Sequence, residues 1–371
     1  MDIEYEESLR NNDLEYERGL EGPEIIIPLI NENPPTIYNP VSFQTELIVQ
    51  FMQNKGILMA NRRCPICLSA MNIVKDQNAA DKLIWRCQKR KPPHDKKINL
   101  RSGSIFEGLI EKIQILYFVT FFCFTENTSL NEALDRCKNF SSQMGQYNIS
   151  REGIIKIFGI LRNKVKEKMH QSWEKNLLGI QINTNLGFPS VELDESKMIS
   201  NGEDIYWMFG IIDRNTKEAR VRCVLNNRTK QKLLPIFNKY VYTTADEDPG
   251  LEEDESVKTR AYSDSFSSYQ VRDFLANGYI LKRINHSVWF GIGINHTNTI
   301  ESLWHNIKKI IDNFSGLSME SIKKRFNNNE DLITAYLDGW LCYSLLIRDF
   351  KRKKLNWSCR INELCNYLNI N

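Results

Sequence analysis

The sequence lacks a hydrophobic run that could cross a membrane. Its most apolar stretch, residues 113–124, is far shorter than the roughly 20 residues that a bilayer-spanning helix needs. The acidic N-terminus also lacks the apolar core of a secretory signal. We therefore expect an intracellular protein with no membrane partner. In such a chain the nine cysteines are candidate metal ligands rather than a disulfide framework.

The sequence also lacks internal repeats and a strong net charge, which is +3 over 371 residues. The charge is nevertheless uneven, because residues 1–24 hold nine acids and two arginines, and the remainder is correspondingly basic. A basic body is typical of a protein that binds polyanions, although a solubilising arm on an ordinary domain explains the charge equally well. With 42% hydrophobic and 26% charged residues, the chain is long enough for two or three globular domains.

Three cysteines and one histidine have the spacing of a structural zinc site. Cys64 and Cys67 form a C-x-x-C knuckle, and a second pair of ligands must complete a tetrahedral shell. The usual partner three residues after Cys87 is absent, since that position is an arginine, and the nearest candidate is His94. The Pro92-Pro93 turn would fold the chain back towards Cys87. The pattern predicts one structural zinc ion bound by Cys64, Cys67, Cys87 and His94. The alternatives are that Cys64 and Cys67 are chance thiols and that His94 is a surface histidine in a basic loop.

The segment around these ligands is strongly basic, and Asp95 is its single acid between residues 86 and 101. We expect the cations to contact DNA phosphates, although a solvated charged face is the simpler alternative. The candidates in this segment are Arg86, Lys89, Arg90, Lys91, Lys96, Lys97 and Arg101. A second basic run, Lys323, Lys324 and Arg325, is a further candidate for DNA contact. A third run, residues 351–354, resembles a nuclear localisation patch, but such clusters are common by chance.

Helical periodicity dominates residues 105–173, where Ser129 with Glu132 and Ser150 are candidate helix caps. These helices are interpreted either as a helix-turn-helix unit or as a plain connector. Beyond residue 187, short β-prone runs at 191–194, 206–212 and 219–225 precede a helix at 229–242. The prediction continues with a strand ending near Asp264, a helix, a strand at 279–283, a helix at 299–314 and two further helices. This element order is that of a ribonuclease H-like α/β fold with a mixed five-stranded sheet.

Three acids occupy positions in this fold where metal chemistry is expected. Asp194 and Asp264 end short apolar strands, and Glu301 lies in the first turn of a helix. Carboxylates so placed can hold two divalent metals for in-line phosphoryl displacement, although each acid alone is more simply read as a loop or helix cap. Glu192 and Glu195 are secondary candidates, either structural or in contact with the metal-binding acids rather than with the metal. Lys308 shares a helix face with Glu301 and is a candidate for contact with DNA; Trp304, on the same face, is a candidate core residue.

These residues carry a resemblance to Merlin-type DDE transposases and their bacterial insertion-sequence relatives. The matching segments are 191–196, 262–269 and 296–304 with Lys308, preceded by 64–67, 85–87 and 99–106. The most specific reads H-T-x-x-I-E-x-x-W followed by a lysine. His94 departs from the family, which usually has cysteine there, and the C-terminal helix follows the family pattern only loosely. The resemblance extends from about residue 62 to about residue 340.

The resemblance implies a catalytic triad of Asp194, Asp264 and Glu301, with Lys308 as an accessory lysine and two Mg²⁺ or Mn²⁺ ions per active site. It implies double-stranded DNA as substrate, both terminal inverted repeats and target DNA, and self-association at least to a dimer. The expected location is the nucleus in a eukaryote and otherwise the cytoplasm with the nucleoid. The main rival is a domesticated, inactive DNA-binding regulator, and a third interpretation is a junction resolvase.

The sequence accordingly divides into five predicted parts. An acidic, partly disordered arm comprises residues 1–57, and a zinc ribbon comprises residues 58–104. A helical, helix-turn-helix-like DNA-binding segment follows at 105–182. The ribonuclease H-like catalytic domain spans 186–318 and carries an acidic insertion at 245–256. Helices with basic runs form residues 319–371.

Overall fold

The computed structural model describes residues 44–90, 93–144, 149–182, 187–200, 202–243, 258–264, 269–284, 296–313 and 318–369. The acidic insertion at 245–256 and most of the N-terminal arm fall outside these residues. The chain divides into two compact units. The N-terminal unit comprises residues 1–116 with 369–371, and the larger unit comprises residues 117–368. In the described part of the chain, no helix has the length and apolar character needed to traverse a bilayer.

The N-terminal unit contains a helix and a three-stranded antiparallel sheet of order β1-β2-β3. These elements are α1 (Thr45–Asn54), β1 (Asn72–Lys75), β2 (Leu83–Arg90) and β3 (Pro93–Asn99). Pro93 is tolerated because it is the first residue of its strand. A small core of Met71, Trp85, Cys64 and Cys87 lies beneath the sheet.

The helical part of the chain begins later than its periodicity predicts. The helix expected from residue 105 starts at Ile113, because residues 101–108 form turns in which Gly103 and Gly108 adopt φ of +79° and +75°. It runs as α2 (Ile113–Phe118) and continues as a π-helical segment, Val119–Phe124. The next helices are α3 (Leu130–Met144) and α4 (Arg151–Lys175). The predicted cap of α4 is confirmed, since Ser150 Oγ accepts the Gly153 N–H at 3.0 Å. Part of the connection between α3 and α4 lies outside the described residues, so the helix-turn-helix interpretation stays a prediction.

The larger unit is built on a five-stranded mixed sheet of order β6-β5-β4-β7-β8, which confirms the predicted mixed α/β class. The strands are β4 (Ser190–Ser200), β5 (Ile205–Asp213), β6 (Ala219–Leu225), β7 (Arg260–Asp264) and β8 (Ile280–Ile284). β4, β5 and β6 pair antiparallel, whereas β7 and β8 join β4 in parallel. Sequence order within the sheet is therefore 3-2-1-4-5, counted from β4 as the first strand.

Helices flank this sheet: α5 (Lys230–Tyr240), α6 (Val271–Leu275), α7 (Asn298–Asn313), α8 (Met319–Arg325), α9 (Glu330–Arg352) and α10 (Trp357–Leu368). Three helices follow α7, where two were predicted, because the turn at Phe326–Asn329 separates α8 from α9. α9 covers the edge strand β6, where Asp338 accepts the Cys223 N–H at 2.6 Å. This contact occupies an edge N–H group that would otherwise be open to pairing with another strand.

Candidate metal centres and active site

The knuckle residues of the predicted zinc site form a tight turn. The Cys64 N–H donates to the Ser69 carbonyl at 2.8 Å, and the Leu68 N–H donates to the Cys64 carbonyl at 2.8 Å. Leu68 takes a positive φ of 59° to close the turn. The turn places both thiols on the side that faces the β2–β3 hairpin.

The hairpin supplies the other two ligands. Lys89 is opposite His94 and Cys87 is opposite Lys96 in the antiparallel register. Because residues two apart share a sheet face, Cys87 and His94 are diagonal neighbours on one face. The chain therefore returns towards Cys87 as predicted, because β3 pairs antiparallel with β2.

Three of the distances between the four candidate ligand atoms are close to those in a tetrahedral zinc site. Cys64 Sγ and Cys87 Sγ each lie 3.4 Å from His94 Nε2, and Cys67 Sγ lies 3.6 Å from Cys87 Sγ. Zn–S bonds of about 2.3 Å and Zn–N bonds of about 2.0–2.1 Å place tetrahedral ligands about 3.5–3.8 Å apart. All four atoms lie within 4.8 Å of one another, so this cluster could hold a structural zinc ion.

The electrostatics of the cluster favour a cation at its centre. The hydroxyl and backbone N–H of Ser69 lower the pKa of the Cys67 thiol to about 6. Burial would raise the pKa of Cys64, but hydrogen bonds from the backbone N–H groups of Cys67 and Ile66 lower it. Burial and the two neighbouring thiols raise the pKa of Cys87 to about 12. A divalent ion would relieve this crowding of sulfur, since it binds thiolates and offsets their repulsion.

The basic residues near the cluster have different surroundings. Lys89 and Lys97 are exposed, and Arg86 and Lys96 are partly exposed. Arg86 makes a bidentate ion pair with Asp95, at 2.8 and 2.7 Å, and Lys97 pairs with Asp76 at 3.0 Å. Lys91 and the side chain of Arg90 lie outside the described residues. Contact of any of them with DNA stays a prediction.

Arg101 requires a correction, because its predicted contact with phosphate is wrong. The side chain is 2% exposed and pairs with Asp81 at 2.7 Å. Its Nη1 also donates to the carbonyls of Leu109 and Glu111, at 3.1 and 2.9 Å. The guanidinium joins the turn after β3 to the chain before α2, and it is unavailable to DNA.

Two of the predicted catalytic acids lie on neighbouring parallel strands. Glu192 on β4 is opposite Tyr262 on β7. Asp194 and Asp264 follow two residues later on their strands, so both project from the same sheet face. Parallel neighbours are about 4.8 Å apart, which brings the two carboxylates close together on this face of the sheet. Both are partly exposed.

The third acid comes from α7, which packs on that face. Glu301 is exposed in the first turn of α7, and its Oε1 accepts the Thr297 hydroxyl at 3.3 Å. The charges of Asp264 and Glu301 both act on Asp194, whose pKa rises to about 6, first because of burial and then through this repulsion. Lys308 is exposed two turns further along the same helix. The structure therefore brings all three acids into one electrostatic neighbourhood.

Trp304 contributes a contact that sequence reasoning left open between core packing and function. Its indole Nε1 donates to Asp194 Oδ2 at 2.8 Å. The ring lies over Gly210, which is directly opposite Asp194 on β5. A Cβ on Gly210 would lie within 2.8 Å of Trp304 Cζ2, so only glycine leaves room for the indole. Trp304 thus ties the helix that carries Glu301 to the strand that carries Asp194.

Glu195, on the opposite face of β4, is 9% exposed. Burial raises its pKa to about 8, and Arg228 Nη1 lies 3.5 Å from its Oε2. Glu195 therefore projects away from the face that carries Asp194.

The three acids offer oxygen ligands of the kind that Mg²⁺ prefers. Among the described residues they are not drawn together as tightly as the cysteine cluster. The repulsion that raises the pKa of Asp194 is what bound cations would neutralise.

No family model and no curated protein sequence matches this chain.

Proposed function

We propose that the larger unit is a ribonuclease H-like catalytic domain and that the protein is a DNA transposase similar to the Merlin type. Its reaction would be metal-dependent cleavage at the ends of an element, followed by joining of the 3′-hydroxyl to target DNA. The observation that carries the proposal is the placement of the acids. Asp194 and Asp264 each lie two residues beyond the paired Glu192 and Tyr262 on the first and fourth strands of a 3-2-1-4-5 sheet, and Glu301 faces them from the first helix after the last strand.

Asp194, Asp264 and Glu301 would hold two Mg²⁺ or Mn²⁺ ions, which supply charge stabilisation at the attacking and leaving oxygens of a phosphoryl displacement. The chain itself does the positioning. Trp304 orients Asp194 through its indole N–H, and Thr297 orients Glu301 through its hydroxyl. Lys308, exposed on the same helix, would contact a phosphate beside the scissile bond.

The N-terminal unit would bind DNA through its exposed lysines around a structural zinc ion. The basic helix α8 offers a second surface, where Lys324 and Arg325 are exposed and Lys323 pairs with Asp204 at 2.6 Å. Cleavage at two element ends requires two active sites, so the proposal includes a dimer on DNA. In a eukaryotic cell this work would take place in the nucleus.

The test is cleavage of a labelled duplex that carries the DNA flanking the coding sequence, with Mg²⁺ or Mn²⁺. Wild-type protein is compared with Asp264→Asn and Glu301→Gln, which keep side-chain size and remove one charge. Asp312→Asn is the matched control, because Asp312 is an exposed acid on the same helix as Glu301. We expect metal-dependent cutting by the wild type and the control, and its loss in both other variants.

Tight binding of the duplex without cutting by the wild type, across metals and salt concentrations, would instead favour the DNA-binding regulator. Cutting that survives Asp264→Asn would show that the nuclease centre lies elsewhere. Preference for branched over linear duplexes would favour a junction resolvase.

A further inference from the structure

The buried pair of Glu192 and Arg214 touches every element that carries one of the three acids. Glu192 is 0% exposed, and its Oε1 accepts from Arg214 Nε at 2.9 Å. Both side chains are enclosed, so this ion pair is largely removed from solvent screening. Glu192 is also two residues before Asp194 on β4, on the same face of the strand.

The second oxygen of Glu192 holds the start of α7. Its Oε2 accepts the backbone N–H of Ile300 at 2.9 Å, one residue before Glu301. The first N–H groups of a helix have no partner within the helix, and they carry partial positive charge. A buried carboxylate at this position therefore fixes both the location and the direction of the first turn of α7.

Arg214 extends the contact to the third element. Its guanidinium lies over the ring of Tyr262, 3.7 Å from the ring centroid, and Tyr262 is two residues before Asp264 on β7. Arg214 Nη2 also donates to the carbonyl of His296, just ahead of α7. The planar fork of arginine makes these contacts at once, which a lysine ammonium could not.

We propose that Glu192 and Arg214 are positioning residues that set the separation of Asp194, Asp264 and Glu301 for metal binding. The inference rests on the proposed function, because it assumes that the three acids bind divalent metal. Each acid lies within two residues of a direct contact of this pair. Loss of the pair should therefore loosen all three acids together, whereas loss of Trp304 would break one link between β4 and α7 and leave Asp264 on β7 in place.

The chain offers a matched control for this pair. Asp338 is likewise buried, accepts from Arg222 Nε at 3.0 Å, and accepts a backbone N–H from Cys223 at 2.6 Å. Its partners lie on the edge strand β6, away from β4 and β7. Glu192→Gln and Asp338→Asn therefore remove the same kind of charge from the same kind of contact, and they differ in location.

The experiment measures Mn²⁺ binding directly on the full-length, zinc-loaded chain, from the electron paramagnetic resonance signal of free Mn²⁺. Thermal unfolding is recorded for the same samples. Removing partners that orient metal ligands typically weakens metal affinity about 10–100-fold. We expect a loss of that size in Glu192→Gln, and a change of less than about twofold in Asp338→Asn at a comparable loss of thermal stability.

A double variant, Glu192→Met with Arg214→Met, keeps the test decisive if Glu192→Gln does not fold. Replacing both members of a buried pair by apolar residues is often neutral for stability. We expect this variant to stay folded, with its unfolding temperature lowered because the Ile300 N–H loses its acceptor, and to bind Mn²⁺ about 10–100-fold more weakly. Wild-type affinity in the folded double variant, or equal losses in Glu192→Gln and Asp338→Asn, would overturn the positioning role alone. Wild-type protein whose Mn²⁺ binding is absent, or is unchanged by Asp264→Asn, would overturn the metal site and the positioning role together.

Discussion

Gly210→Ala is the substitution whose effect follows most directly from the geometry of the acid cluster. Gly210 does not have a positive φ, so alanine can adopt its backbone conformation. The effect of the substitution on stability is therefore purely steric. The added Cβ would lie 2.8 Å from Trp304 Cζ2 and closer still to Cη2. Apolar carbons normally approach to about 3.5–4.0 Å, so the indole must move by roughly 1 Å. That movement strains the 2.8 Å hydrogen bond to Asp194.

Overpacking of this kind costs about 1–3 kcal/mol in a close-packed core. Trp304 is 6% exposed, so its ring cannot swing into solvent to avoid the clash. Alanine itself recovers about 0.5–1 kcal/mol relative to glycine inside a regular element. Gly159→Ala measures this gain alone, because a Cβ on Gly159 would meet nothing within 4 Å. The difference between the two variants, about 1–3 kcal/mol in the free energy of unfolding, therefore reports the clash.

Urea denaturation of both variants gives this difference, and a Trp304→Phe background tests its cause. Phenylalanine lacks the Cζ2 and Cη2 atoms that the new Cβ would meet, so the penalty of Gly210→Ala should largely disappear there. Such coupling between residues in contact is expected to be about 0.5–3 kcal/mol. A Gly210→Ala protein as stable as Gly159→Ala, or a penalty that is unchanged when Trp304 is replaced, would refute the clash between residue 210 and the indole.

Three further predictions concern other parts of the chain. Cys87→Ser should abolish the one bound zinc ion measured by elemental analysis, whereas Cys359→Ser, at an exposed cysteine outside the cluster, should retain it. Arg101→Met should lower the free energy of unfolding by about 3–5 kcal/mol in urea denaturation, because it leaves Asp81 buried without its partner; a wild-type value would contradict the burial of this pair. Burial, and then nearby cations, lowers the pKa of His170 from 6.5 to about 3, so the unfolded chain takes up the proton first as pH falls. Stability should therefore be lost between these two pH values, by at most about 1.4 kcal/mol per pH unit, and His170→Gln should remove that part of the slope.

The strands of the larger unit were predictable because short apolar runs alternate with turn residues. The bounds of β6 agree with prediction, and β5 differs by one residue at each end. β4 continues to Ser200, well past the predicted end at Asp194, because its polar second half pairs with the first half of β5. Local hydrophobicity marks the buried part of a hairpin, whereas pairing extends to its exposed part.

The candidate sites were predictable only as sets of residue types. Spacing was enough to select His94, which the antiparallel register of β2 and β3 places diagonally from Cys87. Charge alone could not separate Arg101 from the exposed cations, since its burial depends on a partner 20 residues away in the chain. The contact of Trp304 with Gly210 depends on packing between a helix and a strand distant in sequence, so no local pattern announces it.

The same arrangement of contacts occurs at three places in the part of the chain that the structure describes. Asp81, Glu192 and Asp338 are buried carboxylates that each pair with an arginine and accept a backbone N–H. The N–H groups belong to Ile113 and Ile300, near the starts of two helices, and to Cys223 on the edge strand.

Buried ion pairs are weak contributors to stability compared with apolar residues of similar volume. Here each pair also satisfies a backbone group that an apolar side chain would leave without a partner, at a point where one element must dock in one orientation. Such pairs are therefore better explained as fixing orientation than as adding stability. Of these three carboxylates, Glu192 alone lies beside Asp194, Asp264 and Glu301. Its location therefore distinguishes it from Asp338, and a measurement of metal affinity should reveal that difference.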